Sequence, residues 1–582
     1  MEKRFLITTA KYSTWRFNEP VVFLGEWCKI YSQKHKWETL DSAVASYRWD
    51  DRQQLFDDYN YLDKIYQIIL PIVAGELNKI HHSKHSIRYW RIILGPWLLT
   101  FIHILFERYQ QISIVSKEYK INGTQISGNS TEDVVPQDML EFADFFISDE
   151  WNHHIYSSLI RDFSNIPYTV EHKEAISKDI KHSQNYTRFF LVTQISSFFK
   201  KIFHRKKELV FVDFPLNLTS QLKLLVKYGC LIEKLPKMDL SGLNIDRSLR
   251  SWKIELSHAN KFETILSKFI PHQIPLVYLE GYKSMIEYCD QLRLTTSPES
   301  IFSSQITYNE EFKFWTAKKT EKGASLNLLQ HGGGYGIGKW FSNEDHEISI
   351  SDHFFSWGWE KGKFMKVLPL GMLKRNLFKK RSKYDQDHAL LILGNLPRYS
   401  YKLFSEVVSK QWLNYFNDQT TFIHSLSDDL RDKLKVKLYQ KDYGWNDSLR
   451  FKYEFPNVCF VEGNTSLEEL SKLSRVIIST YNGTSFLETI AANIPSIVYW
   501  DPSYWELRDD AIPYFQELRK VGIFHESPES AAMQLNTVWD NVFDWWNSNA
   551  TQEAVINFAN KFCYTSPDML KELIIMTKKH KL

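Results

Sequence analysis

Short apolar runs, each followed by a segment of helical periodicity, recur along most of this 582-residue chain. The clearest are LVFVDF before TSQLKLLVKYG, SLNLLQ before a glycine loop, HALLILG before SYKLFSEVVSKQWLNYF, RVIIST before SFLETIAA, and SIVYWD. Alternation of this kind specifies mostly parallel sheets with helices on both faces. From Asp57 to Gln111 it lapses, and apolar residues recur every three or four positions, so a helical insertion is expected at about 57–111. The charged stretch LKRNLFKKRSKYDQD, Leu373 to Asp387, interrupts the pattern, which then restarts cleanly. The reading is an α/β chain of two Rossmann-like domains facing across a cleft. Residues 1–380 form the first domain, with the helical insertion, and 381–582 the second. The last helix is expected to cross back onto the first domain.

Composition narrows the partners. The net charge is +3, close to balance, so nucleic acid is not expected as a partner. Aromatic residues make up 15 %, with 19 Trp, which suits aromatic-rich cores or aromatic-lined clefts. The five cysteines (Cys28, Cys230, Cys289, Cys459, Cys563) are scattered and include no CxxC pair, which fits a reducing cytoplasm. The first residues, MEKRFLITTAKYSTW, do not have the pattern of a signal peptide. The longest apolar run, Ile92 to Phe106, is short for a bilayer and interrupted by His103; a buried helix is expected. The adjacent acidic pairs Asp50-Asp51, Asp428-Asp429 and Asp509-Asp510 fall in helical or loop contexts, and neither a metal nor another cofactor is expected.

Two junctions carry the chemistry. In STYNGTSFLETIAANIPSIVYWD a strand ends in Asn482, Gly483, Thr484 and Ser485 and a helix begins. Free N–H groups and a partial positive charge at a first helical turn favour a phosphate, and small residues let it approach. Ser485 and Glu488 have the S-x-x-E spacing of a capping box; alternatively Glu488 accepts hydrogen bonds from sugar hydroxyls. In LLQHGGGYG a strand delivers His331 and then Gly332, Gly333 and Gly334, which lets a ligand lie against bare backbone. Histidine is the side chain most readily poised as a base near neutral pH. Arg398, after the first strand of the second domain, is placed to grip a diphosphate, and Lys441 at another strand end either neutralises a phosphate or is simply solvated. Arg88 and Arg91 share a helix face and either hold an anionic acceptor or pair with carboxylates such as those of RWDDR at 48–52.

The segment from Ser479 to Asp501 resembles the donor-binding segment of GT-B glycosyltransferases. The resemblance implies that the nucleotide-sugar phosphates lie at Asn482–Ser485 and that Glu488 holds a ribose. With FLGEWCKIY, HSIRYWRIILGPWL and LLQHGGGYG, the chain nearly end to end resembles a bacterial transferase family of O-antigen and other surface-polysaccharide biosynthesis. The histidine loop is also similar to the "HG" loop of GT-B teichoic-acid and capsule polymerases, where the histidine is the base for the acceptor hydroxyl. That implies His331 as base, with Glu26 of LGEWCK as the contrasting candidate. Two departures disfavour phosphopolyol transfer: the Trp-His-Gly-Thr-Pro form is absent, and KVKLYQKDYGWN lacks the second histidine.

The expected activity is an inverting transfer of sugar from a nucleotide-sugar donor to a surface polysaccharide or its lipid-linked precursor. The rivals are polyol-phosphate transfer, sugar-nucleotide epimerisation and a non-catalytic assembly scaffold. A cytoplasmic protein is expected. The basic-apolar segments FFKKIFHRKKE (198–208) and LKRNLFKKRSKY suit either contact with the inner membrane or solvated loops.

Overall fold

The computed structural model describes residues 2–579 except 130–133, 172–208, 215, 217, 229, 231, 257–258, 293, 295–296, 362–365, 374–386, 462–464 and 567. Segment 198–208 and nearly all of the charged break at 373–387 lie outside the described residues.

Three sheets organise the chain, and every strand pairing in them is parallel. The first contains Lys3–Ile7 (β1), Val21–Phe23 (β2), Ser42–Val44 (β3), Lys120–Ile126 (β4) and Tyr168–Val170 (β5), in the order β3-β2-β1-β4-β5. The second contains Leu209–Val212 (β6), Ile232–Glu233 (β7), Ser300–Ser303 (β8), Ser325–Leu329 (β9), His353–Ser356 (β10) and Val367–Pro369 (β11), in the order β11-β10-β9-β8-β6-β7. The third contains His388–Ile392 (β12), Leu434–Lys437 (β13), Cys459–Val461 (β14), Ser474–Ser479 (β15), Ser496–Tyr499 (β16) and Phe524–His525 (β17), in the order β14-β13-β12-β15-β16-β17.

The parallel α/β class therefore holds, and the stretch read as one domain over 1–380 contains two separate sheets. The helical stretch lies between β3 and β4 as helices Arg52–Ile80, Ile87–Ile93 and Gly95–Glu118. Asp51 caps the first through Gln54 N, Ser86 caps the second through Tyr89 N, and Pro96 sits in the first turn of the third, where its missing N–H costs nothing. No single described helix is long and apolar enough to cross a membrane. The pair Ile87–Ile93 and Gly95–Glu118 together has the length and composition of a span, but it is bent by 69°. Trp97, Leu98, Phe101, Ile104 and Leu105 on it are wholly buried in protein.

The three units are stitched together. Arg52 forms a two-pronged ion pair with Glu506 at 2.7 and 2.9 Å, joining the first unit to the third. Backbone hydrogen bonds Lys339 N to Glu506 O and Arg508 N to Ile337 O, both 2.9 Å, join the second to the third. The C-terminal helix Met569–Lys579 crosses back, burying Met569 and Leu573 against Phe211, Phe302 and Leu368 of the second sheet. Tyr564 clamps this return: its N–H donates to Trp357 O at 2.9 Å and its carbonyl accepts from Met372 N at 2.7 Å.

Two segments depart from their local pattern. SYKLFSEVVSKQWLNYF reads as one helix, but the α-helix begins only at Trp412. Residues 400–408 form a loop in which Leu403, Phe404 and Val407 are buried, with Ser405 N donating to Trp340 O at 3.1 Å. Tertiary burial from the second unit outweighs helix propensity there. The apolar-polar alternation of ISIS (348–351) suits a strand, but its first three residues end the helix Ser342–Ile350, and β10 begins only at His353.

Candidate functional site

The two junctions meet. Gly333 N donates to Thr484 Oγ1 at 2.9 Å, so the loop after β9 touches the turn after β15. A Cβ on Gly333 would lie 2.2 Å from the carbonyl carbon of Gly483 and 2.6 Å from Thr484 N, closer than any side chain allows. Gly334 holds φ +86°, in the left-handed region that glycine adopts without strain. The glycines thus admit the backbone of the neighbouring unit, where the sequence reading had a ligand. The Thr484 hydroxyl is occupied by that contact.

Helix Thr484–Ala491 takes Gly483 as N-cap, with no side-chain cap. The Ser485–Glu488 capping box is therefore not formed, because the helix starts two residues too early for Ser485 to be the cap. A glycine cap leaves the first-turn N–H groups to other partners. Beside this turn Ser479 Oγ and Asn482 Oδ1 are buried without a hydrogen-bond partner. Native buried polar atoms are rarely left so, and such atoms mark a place for a polar ligand or water. Glu488 is half-buried within the same helix.

Chain order in the third sheet reverses between β12 and β15, the position at which open α/β sheets bind ligands. A cavity of about 170 Å³ opens there, beyond the strand ends. Gly394 and Asn395 after β12, Tyr439 and Tyr443 after β13, Tyr481 after β15 and Trp505 after β16 line it, with Tyr401, Lys402 and Tyr415. Tyr481 packs so closely on Gly394 and Gly483 that a Cβ on either would lie 3.1 or 2.1 Å from its ring. Lys402 Nζ sits 3.7 Å from the centroid of the Phe404 ring and 4.0 Å from Glu406. Most of these tyrosines belong to no motif; the available signal was an aromatic just past the apolar run in KLYQKDYG, STYNG and YWDPSYW.

His331 is 27 % exposed, and its Nδ1 lies 3.9 Å from Oε1 of buried Glu347. Tyr335 Oη donates to Glu347 Oε2 at 3.0 Å and lies 3.5 Å from His331 Nε2. Burial, reinforced by the nearby Glu344 carboxylate, pushes the Glu347 carboxyl up to about 8. Glu344 itself is held below the usual carboxylate range, against its burial, by Arg508 at 3.0 Å and Lys361 at 2.9 Å.

Other candidates lie elsewhere. Arg398 is buried, donates to Asp149 Oδ2 at 2.7 Å and to Trp27 O, and pins the third unit to the first; it does not face the crevice. A neighbouring carbonyl and an acid already take its Nη1 and Nη2, while its buried Nε has no partner. Glu26 sits on the short turn Glu26–Cys28 after β2, paired with Lys29 at 3.3 Å, and packs at the seam with Ser409–Gln411 rather than beside His331. Lys441 is half-exposed, 3.8 Å from Asp144 and 5.3 Å from the ring centroid of Tyr443, so it stands at the cavity rim. Arg88 pairs with Asp352 at 2.7 Å, and Arg91 donates to Gln67 at 2.9 Å, so neither uses the carboxylates of RWDDR. Among the described residues no group of three or more His, Cys, Asp or Glu is placed to hold a metal ion.

A parallel α/β chain with a crevice at a strand-order reversal is the class that fold and site define. Residues 4–575 match the family described as LIC12162 family transferase, and the chain belongs to that family. It is accordingly a transferase. No curated protein matches it in sequence. Among solved structures it is similar to UDP-GlcNAc 2-epimerase from Neisseria meningitidis bound to UDP-GlcNAc (12 % identity, TM-score 0.37, 64 % of this chain and 100 % of that one). It is also similar to MurG of Acinetobacter baumannii (11 %, TM-score 0.32, 64 % and 100 %). A third is WaaG, a glycosyltransferase involved in lipopolysaccharide biosynthesis (12 %, TM-score 0.29, 60 % and 94 %). Scores this low say nothing of substrate or mechanism.

Proposed function

We propose that this transferase moves a sugar, with inversion, from a nucleotide-sugar donor to a growing bacterial surface polysaccharide or its lipid-linked precursor. The observation that carries the reading is the meeting of the histidine loop and the Gly483–Thr484 turn, at 2.9 Å, beside buried unpartnered polar atoms and a tyrosine-lined crevice. In this reading the nucleotide lies in the crevice against the tyrosines, with Glu488 on a ribose hydroxyl. The diphosphate lies toward Asn482–Ser485, where the helix N-terminus, with Lys402 and Lys441 nearby, supplies positive potential. The acceptor hydroxyl attacks the anomeric carbon, its proton passes to His331, and the bond to the diphosphate oxygen breaks as the diphosphate leaves with the electron pair. No metal is needed for that charge balance. A lipid-linked acceptor places the enzyme on the cytoplasmic face of the inner membrane, with segments 198–208 and 373–384 as its basic contacts; flotation with anionic vesicles tests this.

The direct test is a panel of nucleotide sugars, read by thermal stabilisation and calorimetry. A true donor at a hundredfold excess over its Kd adds about 2.7 kcal/mol of stability; if none of the panel binds, the reading falls. With the donor known, His331→Ala should lower transfer by about 10²–10⁴-fold and leave donor affinity intact, while Glu26→Gln stays near wild type. The opposite pattern would make the histidine structural.

A further inference from the structure

An acid buried behind a histidine needs a reason. Glu347 is 3 % exposed on helix Ser342–Ile350, where an apolar residue of similar size would avoid the desolvation cost of a carboxyl. Its two oxygens are used differently. Oε2 accepts from Tyr335 Oη at 3.0 Å, and Oε1 faces His331 Nδ1 at 3.9 Å. That second distance is too long for a hydrogen bond but within reach of an ion pair. Tyr335, four residues along the same glycine loop, stands edge-on to the imidazole with ring centroids 5.4 Å apart. The ring is therefore bracketed by one residue of its own loop and one of the following helix.

We propose that Glu347 is a positioning residue for His331: a buried carboxyl that, with Tyr335, sets the orientation of the imidazole and favours its protonated form. The inference rests on the reading of His331 as the base. The titratable groups that face Glu347 are His331 and Tyr335 of the loop, and Glu344 of its own helix with the Arg508 and Lys361 that neutralise it. Toward the junction of the three units it shares a cavity with Tyr308, His346, Tyr401 and Lys402. His346 is held neutral there, with burial pushing it down to about 3, so it adds no charge near neutrality. With its carboxyl pushed up to about 8, Glu347 becomes a carboxylate near neutrality chiefly by passing its proton to the facing imidazole, and the ion pair so formed, at 3.9 Å, makes His331 titrate higher with Glu347 than without it.

Carbethoxylation of the full chain by diethyl pyrocarbonate tests this, because only the neutral imidazole reacts. The rate at His331, followed by peptide mass spectrometry from pH 5 to pH 9, gives a midpoint without any donor or acceptor. In Glu347→Gln the midpoint should fall by about one pH unit, and in Tyr335→Phe by less, since the carboxylate then loses its donor. A Glu347→Gln midpoint equal to wild type, in a variant with an unchanged melting temperature, overturns the proposal. If that variant does not fold, an unshifted Tyr335→Phe overturns it instead. Full transfer activity in His331→Ala would defeat the base reading alone and leave the midpoint shift standing.

Discussion

The first and third sheets are wound alike, with strand order reversing between β1 and β4 in one and between β12 and β15 in the other. Their C-terminal edges differ. At the first edge most polar side chains are paired with each other, although Tyr12 Oη and Arg398 Nε are buried without a partner. Thr8 Oγ1 lies 3.3 Å from His153 Nδ1, and the Trp15 and Trp27 indoles donate to the carbonyls of Thr9 and Thr8 at 2.9 and 3.0 Å. Asp149 accepts from Ala10 N at 2.9 Å, from Tyr399 Oη at 2.5 Å and from Arg398 at 2.7 Å, so the third unit itself plugs this edge. At the third edge a cavity remains, and Ser479 Oγ and Asn482 Oδ1 have no partner. Winding offers a place for a ligand at each reversal; whether residues just past the strand ends, with those of a neighbouring unit, fill it decides which place stays open.

Asp149→Ala attacks the closed edge and should have the largest effect. It leaves Arg398 buried without its acid, which costs about 3–5 kcal/mol, read by chemical denaturation. Nucleotide-sugar affinity of the folded protein should be unchanged. Lost affinity with full stability would mean that the first edge, and not the third, is where the ligand goes.

Gly333→Ala attacks the contact on which the open edge depends. With a Cβ 2.2 Å from Gly483, the two loops must part. A displacement of that order lowers transfer by about 10²-fold, and wild-type turnover would mean that the loops need not touch. Tyr481→Ala enlarges the crevice and removes a ring from its wall. Nucleotide affinity should then fall by about 10- to 100-fold, the range of one lost aromatic stack of about 1–3 kcal/mol, measured by calorimetry. The mirror substitution Trp15→Phe, at the closed edge, should leave affinity alone. Glu488→Gln is the mildest: one polar contact weakened, about tenfold in nucleotide affinity. No change would leave Glu488 as a helix residue without a ligand role.

Strands that are short apolar runs beside a glycine or a proline, such as β9, β12, β15 and β16, were legible because each is buried on both faces. β8, Ser300–Ser303, was not: half of its residues are serines, and only its position between β6 and β9 makes it a strand. The 400–408 loop was misread for the opposite reason, since its helical spacing of apolar residues is spent on contacts with other units. Of the candidate site, the two loops carrying His331, the glycines and Asn482–Ser485 stood out in the sequence because loop chemistry is local. Arg398 was misjudged, since its acid, Asp149, lies 249 positions away.

By itself the sequence determined the parallel α/β class, the crossing of the last helix and the two junctions with their residues, because periodicity, glycine content and turn chemistry act over a few neighbouring positions. Only the tertiary structure decided that residues 1–380 hold two sheets, that one strand-order reversal is plugged while another stays open, and that Glu347 stands behind His331. The contact of Gly333 with Thr484 spans 151 positions. Its formation depends on how whole units pack, on which buried charge finds a partner, and on where the lack of a Cβ lets two backbones touch; none of these is written in any one local stretch.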